Sequence, residues 1–279
     1  MSAPMLDLKG RPLRETLAQL QAQVRQNPGD AKLRIFLFQL LAVLGQWDRA
    51  LTQLGVTGEM DTAAMAMVHT YRDAVKCEPL RAEVFAGKRT PVVFGEPEAW
   101  TALLFEALRV SAAGEHAKAA QLRETAFEQA PATSGKAIPW TMKGEDDDPP
   151  AGEPFAWVAD ADPRMGPMLE AIVLGRYVWI PFHRLQRIQF EPVEDLRDLV
   201  WTPVHLTWSN GGEQVALLPV RYPDSEASED DGLLLARRTE WAELSPGSHA
   251  GIGQRLLATD QAEYGLLELR SLELAPAEA

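Results

Sequence analysis

Cysteine is almost absent from this chain of 279 residues, and Cys77 is the only one. A single cysteine excludes an intramolecular disulfide and any metal site built from several cysteines. Long apolar runs are absent as well, because the longest one, residues 35–44, is interrupted by Gln39 and is too short to span a bilayer. The first seven residues lack the basic segment and apolar core of a secretory signal. We therefore expect a cytoplasmic protein.

Positive charge is also scarce. Lysine and arginine number 27 against 40 aspartates and glutamates, for a net charge of −13. Nucleic acids and anionic membranes both require a basic surface, so we expect neither as the main partner. The deficit is largest in residues 155–279, which hold 10 arginines, no lysine and 20 acidic residues. Arginine pairs with carboxylates through two parallel hydrogen bonds, which favours ordered arginine–acid pairs there, although codon usage would give the same composition.

Motifs that carry catalysis are missing. The five histidines lack the spacing of metal ligands, and no Gly-x-Ser-x-Gly elbow occurs. Residues 82–90 fail as a phosphate-binding loop because Ala82 replaces the first glycine. Residues 251–255 (GIGQR) hold only two glycines of a dinucleotide fingerprint and are typical of a tight turn. We expect no catalytic residue, no bound metal and no cofactor.

The first half of the chain has the apolar periodicity of helices. Helices are predicted over residues 12–26, 31–44, from 47 onward, 60–76, 96–113 and 116–129. Residues 45–50 (GQWDRA) and 114–119 (GEHAKA) repeat a Gly-x-aromatic-x-x-Ala pattern at an offset of 69, about twice the 34-residue period of tetratricopeptide helix pairs. The middle copy, expected near Pro79, is degenerate. This echo favours a short tetratricopeptide-like array, and an unrelated helical bundle is the alternative.

The second half has the pattern of strands. Residues 131–154 contain Asp146, Asp147 and Asp148 among prolines and glycines, and predict an acidic linker. Strands are then predicted over 155–158, within 168–180, and over 185–190, 233–236 and 266–269, with a hairpin formed by residues 201–208 and 214–220. A short helix is expected around 193–199. The predicted fold class is α+β: a tetratricopeptide-like helical domain (1–130), the linker (131–154) and a mainly antiparallel β domain with short helices (155–279).

Two features of the β half have a structural and a functional interpretation. Asp160 and Asp162 could hold a divalent cation, but two acids beside a turn proline more often bind arginine and backbone N–H groups. Tryptophan and arginine alternate along this half, and both residue types anchor protein interfaces. The same residues build a small core with arginine stacked at its edge, and we favour that interpretation.

Six blocks of the second half, taken together in order, resemble the ImpE/TagJ family. They are residues 157–167 (WVADADPRMGP), 175–182 (GRYVWIPF), 196–201 (LRDLVW), 218–223 (LPVRYP), 238–241 (RTEW) and 251–255 (GIGQR). The residues that carry the likeness are Asp160, Asp162, Arg164, Arg176, Tyr177, Trp201, Arg221, Tyr222, Arg238, Trp241, Gln254 and Arg255. The helical half is similar to the start of family members, but less distinctively.

The resemblance implies a non-enzymatic, cytoplasmic accessory protein of the bacterial type VI secretion system. Family members are thought to bind the small subunit of the contractile sheath, TssB/VipA, through its N-terminal helix, with a link to sheath assembly or to disassembly by the ClpV unfoldase. A helical array offers a groove for such a helix. The first helix of each pair usually lines the concave side. The candidate peptide-binding residues are therefore Arg34, Phe38, Leu41, Trp100, Leu104 and Leu108, although a core role is favoured over binding for each of them.

Three hypotheses follow for the function. The first is an adaptor that captures the sheath helix without metal or nucleotide. The second is an enzyme or ligand-binding domain in the β half that uses Asp160, Asp162 and Arg164. The third is a scaffold whose partner is the unfoldase. The β domain, with its tryptophans and arginines, is the other candidate binding surface beside the helical array.

Overall fold

The computed structural model describes residues 11–140, 152–246 and 248–275. Six helices and one very short strand come first along the chain. They are α1 (Leu13–Gln26), α2 (Ala31–Val43), α3 (Trp47–Met60), α4 (Met65–Phe85), β1 (Val92–Val93), α5 (Ala99–Ala112) and α6 (His116–Gln129). None of the described helices is long and apolar enough to cross a membrane.

The rest of the chain is built from strands joined by short helical turns. The strands are β2 (Gly135–Pro139), β3 (Glu153–Phe155), β4 (Val158–Asp160), β5 (Met168–Val173), β6 (Arg176–Pro181), β7 (Leu185–Phe190), β8 (Trp201–Trp208), β9 (Glu213–Pro219), β10 (Thr239–Ser245), β11 (Ser248–Gly253), β12 (Leu256–Thr259), β13 (Glu263–Gly265) and β14 (Leu269–Leu274). The four-residue helix α7 (Asp231–Leu234) precedes β10. The α+β fold class predicted from the sequence is confirmed.

Local predictions differ from the structure at four places. The helix expected over 60–76 is α4, which begins at Met65, continues through Pro79 and ends at Phe85. The strand expected over 155–158 is divided, because residues 156–157 separate β3 from β4. The strand expected over 233–236 is wrong, because the Asp230 carboxylate accepts hydrogen bonds from two backbone N–H groups of the next turn and starts α7 instead. The strand expected over 266–269 is a single turn of 3₁₀-helix over residues 266–268, and β14 begins only at Leu269.

The repeated glycine pattern marks two turns of the same geometry. Gly45 follows α2 with a φ of 65°, and Gly114 follows α5 with a φ of 83°. After each glycine, the next backbone N–H bonds back to a carbonyl five residues earlier: Gln46 to Leu41 at 2.9 Å and Glu115 to Val110 at 2.9 Å. Glycine is favoured in this type of helix ending because a side chain disfavours positive φ. The repeated sequence pattern therefore corresponds to two helix–turn–helix units with equivalent turns.

The two turns make a matched pair for mutation. A Cβ atom added at Gly114 meets nothing within 4 Å, whereas one added at Gly45 lies 2.5 Å from Cβ of Glu226. Gly114→Ala is expected to lower the free energy of unfolding by about 1 kcal/mol through the backbone alone. Gly45→Ala is expected to lower it by about 2–3 kcal/mol, because overpacking adds to the backbone strain. Urea unfolding of both variants measures the difference, and equal losses would contradict the packing of α2 against the segment at Glu226.

One nine-stranded sheet dominates the β half. Its strand order is β1-β6-β5-β9-β8-β7-β14-β2-β3, and the β1–β6 pair alone among these neighbours is parallel. The predicted hairpin is confirmed, since β8 pairs with β9 from Trp201 opposite Pro219 to Thr207 opposite Glu213. The hairpin β10–β11 and the three-stranded sheet β13-β12-β4 lie outside the large sheet.

Part of the segment expected as a linker belongs to the large sheet. Residues 135–139 form β2, which pairs with β14 on one side and with β3 on the other. The acidic run Asp146, Asp147 and Asp148 lies outside the described residues. The boundaries 1–130, 131–154 and 155–279 stay a prediction.

The central strands are buried on both faces. Alternate side chains of β6 point to opposite sides: Tyr177 and Trp179 pack in a cluster with the helices, and Val178 and Ile180 pack in a second cluster on the other side of the sheet. The first cluster contains residues of α1 to α5 together with residues of the sheet. The helices and the sheet thus share one hydrophobic core.

Candidate functional site

Charged side chains from both halves of the chain meet inside this core. Arg255 pairs with the carboxylates of Asp160 and Glu170, and Arg81 of α4 binds Glu170 with Nε 2.5 Å from Oε1. Arg81 also lies 3.6 Å from a carboxylate oxygen of Glu78, one turn earlier in α4. All five side chains are buried. We call these five residues the buried ion cluster.

Aromatic side chains complete the hydrogen bonds of this cluster. The Tyr177 hydroxyl donates to Glu170 at 2.5 Å and accepts from Nε1 of Trp179 at 2.7 Å. Trp201 donates from Nε1 to Glu78 at 2.7 Å, and Tyr222 donates its hydroxyl to Asp160 at 3.2 Å. Buried charges are stable only when they are paired and hydrogen-bonded, and the aromatic residues of the family motifs supply that here.

Burial and pairing shift the pKa values in opposite directions within the cluster. Burial raises the pKa of Asp160 to about 6 and also raises that of Glu78. Burial disfavours the charge on Glu170 as well, but Arg81 and Arg255 together hold its pKa below the usual range. Against the effect of burial, the neighbouring carboxylates raise the pKa of both arginines. Glu170, held by two protonated arginines, is the charged centre of the cluster.

The second aspartate of the 157–167 motif organises its own loop. One carboxylate oxygen of Asp162 accepts from the backbone N–H of Arg164 at 2.9 Å, and the other accepts from the backbone N–H of Gly251 at 3.0 Å. The Arg164 guanidinium binds the same carboxylate at 2.6 Å and stacks over the ring of Phe85 in α4. Asp160 also accepts from the backbone N–H of Asp162 at 2.8 Å. Both aspartates are thus used by the turn and by arginine.

Arg221 joins the ends of two helices. Its Nη1 donates to the backbone carbonyls of Val43, at the end of α2, and of Leu234, at the end of α7, at 2.6 and 2.8 Å. Unpaired carbonyls at a helix C-terminus favour a cation. Burial lowers the pKa of Arg221 to about 10. This arginine ties the helical half to the β half.

Of the remaining motif residues, Arg176, Arg238 and Trp241 are exposed and Gln254 is buried. Arg176 is exposed, and the exposed Arg238 pairs with Asp230 at 2.6 Å and with Glu240 at 2.9 Å. Gln254 accepts from the backbone N–H of Leu267 at 3.0 Å and fixes the turn before β14. Trp241 packs against Tyr222 with ring centroids 5.7 Å apart and is 40% exposed. The motifs therefore contribute to the core and also to an open surface.

The candidate peptide-binding residues of the helical half are mostly inside the core. Five of them are buried at 4% exposure or less: Phe38, Leu41, Trp100, Leu104 and Leu108. These five side chains cannot line an open groove in the folded chain, because they pack against the other helices and the sheet. Arg34 is partly buried and binds the carbonyl of Pro28 and the side chain of Gln53, each at 3.1 Å.

Sequence reasoning missed three members of the buried ion cluster. Glu78 and Arg81 sit in α4 with the i,i+3 spacing of an ordinary surface ion pair, and Glu170 stands within an apolar strand. A lone carboxylate in a strand that is otherwise apolar is a usable signal, since such a charge needs a buried partner. The two arginines that pair with Glu170 lie 85 or more residues away along the chain, so local patterns could not identify them.

An open apolar groove lies beside the 157–167 motif. Three cavities of about 440, 500 and 400 Å³ share Pro163 as a lining residue. Their walls carry three aromatic side chains that are 39–41% exposed: Phe127 of α6, Trp157 and Trp241. Arg123 of α6 lines the cavity of about 500 Å³. We call this surface the Pro163 groove.

The groove is positioned by close packing at its floor. A Cβ atom at Gly166, where φ is 52°, would lie 2.2 Å from the Phe127 ring, so the ring rests directly on the backbone of the motif. A Cβ atom at Gly251 would likewise lie 2.3 Å from the ring of Tyr222, which supports Trp241. The motif glycines therefore place two of the three aromatic walls. Among the described residues there is no cluster of three or more histidine, cysteine or acidic side chains that could hold a metal ion.

Comparison with known proteins decides the family. A model of the ImpE protein family matches residues 152–273, which include all six sequence blocks. The type VI secretion system accessory component TagJ of Pseudomonas aeruginosa PAO1 is 50% identical over 273 residues, covering 98% of this chain and 91% of that protein. The chain belongs to the ImpE/TagJ family. The resemblance seen in the sequence is confirmed.

A solved structure shows the same fold in a more distant protein. The crystal structure of a protein from Vibrio parahaemolyticus superposes with a TM-score of 0.80 at 23% identity, over 94% of each chain. Because the likeness covers both the helices and the sheet, the α+β architecture extends beyond the close relatives of this ImpE/TagJ chain.

Proposed function

We propose that this ImpE/TagJ chain is a non-enzymatic adaptor of a type VI secretion system in the cytoplasm. It binds the small sheath subunit, TssB/VipA, through the N-terminal helix of that subunit, and influences sheath assembly or disassembly by ClpV. The observation that carries the proposal is the 50% identity, along nearly the whole chain, to a protein named as a type VI secretion accessory component. The matched region spans the helical half, the motifs and the sheet.

The geometry supports a binding role over catalysis. The carboxylates of Asp160 and Asp162 are bound by arginines, a tyrosine and backbone N–H groups, so they are engaged in structural contacts rather than held ready for acid–base work. Exposed aromatic side chains, among them Trp157 and Trp241, lie beside the 157–167 motif. Exposed aromatic side chains over a cavity are typical of protein docking surfaces.

We also propose that the helical half is a tetratricopeptide-like array. The equivalent turns at Gly45 and Gly114 support it, together with the small residues Ala50 and Ala119, which are fully buried where the following helices pack. Helix α4 departs from the pattern because it is 21 residues long and continues through Pro79. The array is therefore short and irregular.

The alternative of a metal- or ligand-dependent domain in the β half finds no support in the contacts. Such a site needs Asp160, Asp162 and Arg164 to turn toward a ligand, but these side chains bind the chain itself. A bound metal would raise the melting temperature by mass action. Thermal unfolding with and without added divalent cations checks this directly.

Binding of the sheath helix is the first prediction to measure. A labelled peptide with the sequence of the N-terminal helix of the sheath small subunit is expected to bind the full chain saturably in fluorescence anisotropy. Replacing the apolar residues on one peptide face by aspartate is expected to abolish binding, because an amphipathic helix binds through its apolar face. A scrambled peptide of equal composition is the control. Absence of binding at about 100 µM protein would overturn helix capture.

A further inference from the structure

The Pro163 groove is lined by a buried arginine, Arg123, that makes few bonds to the described part of the chain. We propose that this groove seats an amphipathic helix of the partner, and that Arg123 pairs with a carboxylate beside the apolar face of that helix. The inference rests on the proposed function and assigns to it a surface and a recognition chemistry. That surface is distinct from the concave face of the helical array.

Arg123 is the observation that points to a ligand. Arg123 is 6% exposed. Its hydrogen bond to the described part of the chain runs from Nη2 to the Ser248 hydroxyl at 3.3 Å. No carboxylate of a described residue lies within 4 Å of its guanidinium, and nearby Asp162 is already paired with Arg164. Burial lowers the pKa of Arg123, and the nearby Asp162 carboxylate offsets this only in part.

Arg221 shows how the same fold treats a buried arginine that has a structural role. Its guanidinium donates to three backbone carbonyls at helix ends and needs nothing from outside. Arg123 has one long bond to a hydroxyl and lines a cavity. An incoming carboxylate would give it charge-assisted hydrogen bonds in a partly dry site, where they are strongest.

The shape of the groove fits a helix. Its α6 wall presents Ala120, Arg123, Glu124, Phe127 and Glu128, at the spacings of three and four residues that form one helical face. Small Ala120 allows the axis of a second helix to approach, and Trp241 closes the opposite wall. Glu124 and Glu128 are exposed at the rim. The matching helix therefore has an apolar stripe, one carboxylate beside it and basic residues at its edge.

The test uses the full chain and the labelled sheath-helix peptide in anisotropy titrations. Arg123→Met keeps the aliphatic stem and removes the charge, and Trp241→Ala removes an exposed wall. Each is expected to weaken binding about tenfold or more. The matched controls are Arg176→Met, at an exposed arginine, and Trp140→Ala, at a tryptophan that is 38% exposed and outside the groove. Both controls are expected to bind like the wild type.

Two readouts separate recognition from a structural role. Arg123→Met is expected to keep or raise the melting temperature while it weakens binding, because it removes a buried cation that the folded chain pairs poorly. The acidic residues of the peptide are also replaced one at a time by their amides. We expect one of these replacements to lower the affinity as much as Arg123→Met does. Combining that peptide with Arg123→Met should then lower the affinity no further than either change alone.

The outcomes are distinct. Wild-type binding with unchanged affinity in Arg123→Met and Trp241→Ala overturns the groove assignment and leaves the adaptor function standing. Absence of binding by the wild type overturns both. A dimer in sedimentation that Trp241→Ala dissociates, with peptide affinity unchanged, assigns the groove to a second copy of this chain and also overturns the inference. If Arg123→Met does not fold, Phe127→Ala replaces it, since that ring is exposed.

Discussion

Arg255→Met is expected to lower the free energy of unfolding by about 3–5 kcal/mol, which is a large part of the total of about 5–15 kcal/mol for an ordinary domain. Arg255 is 1% exposed and is paired with both Asp160 and Glu170. Removing it leaves one buried carboxylate without its arginine and the other with Arg81 alone. A buried charge that loses its partner keeps the full cost of leaving water. Urea unfolding followed by circular dichroism measures the loss.

The control for this prediction is Arg176→Met, the same replacement at an exposed motif arginine, which is expected to change stability by less than about 0.5 kcal/mol. Adding Asp160→Asn to Arg255→Met is expected to recover part of the loss, because it removes the buried carboxylate that Arg255→Met leaves without an arginine. If Arg255→Met unfolds at the same urea concentration as Arg176→Met, the buried ion cluster does not stabilise the fold in the way that the contacts indicate.

Trp179→Ala is expected to destabilise the helices and the sheet together by about 3–5 kcal/mol. The Trp179 ring is fully buried between Phe85 of α4 and Phe105 of α5, with centroid distances of 5.6 and 5.7 Å, although the residue itself belongs to β6. A cavity at this place removes contacts from both halves of the chain. Helical ellipticity and the fluorescence of the tryptophans in the sheet are therefore expected to be lost at one common midpoint, shifted equally in the variant.

Trp179→Phe serves as the control, because it keeps an aromatic ring and removes the bond from Nε1 to the Tyr177 hydroxyl. We expect about half of the loss seen for alanine, since most of the ring volume stays. Two separate transitions, with only the fluorescence midpoint shifted, would show that the halves unfold independently. That result would favour a linker-separated arrangement with the boundaries 1–130, 131–154 and 155–279.

The parts of the fold that sequence predicted well are those with local causes. Asp30 begins α2 because its carboxylate accepts from two backbone N–H groups of the first turn, and this cap is visible in the sequence. Residues 210–212 turn the β8–β9 hairpin for an equally local reason. The strand expected over residues 233–236 is wrong because four apolar residues in a row are compatible with a strand or with a buried helical turn. The cap at Asp230 decides between them.

The candidate site was predicted in outline only. The family motifs identify Asp160, Arg255 and Trp241, but they do not indicate that the first two are buried in the core and that Trp241 is exposed at the surface. Periodicity marked Phe38 and Leu104 as apolar helix positions, and an apolar position has the same pattern whether it faces a groove or a core. Arg123 has no motif around it, and only the three-dimensional contacts show that no carboxylate within the described part of the chain pairs with it.

The bonds from Arg221 to the end of α2 have a consequence for how fast the proposed partner would be captured. They hold the end of α2 against the β half, which limits the freedom of the helices to move as the partner arrives. A stiff receptor loses little conformational entropy on binding, so ordering falls on the incoming helix. For the proposed complex, we therefore expect an association rate that rises with the helical content of the free sheath helix, so that the timing of capture is controlled by that helix.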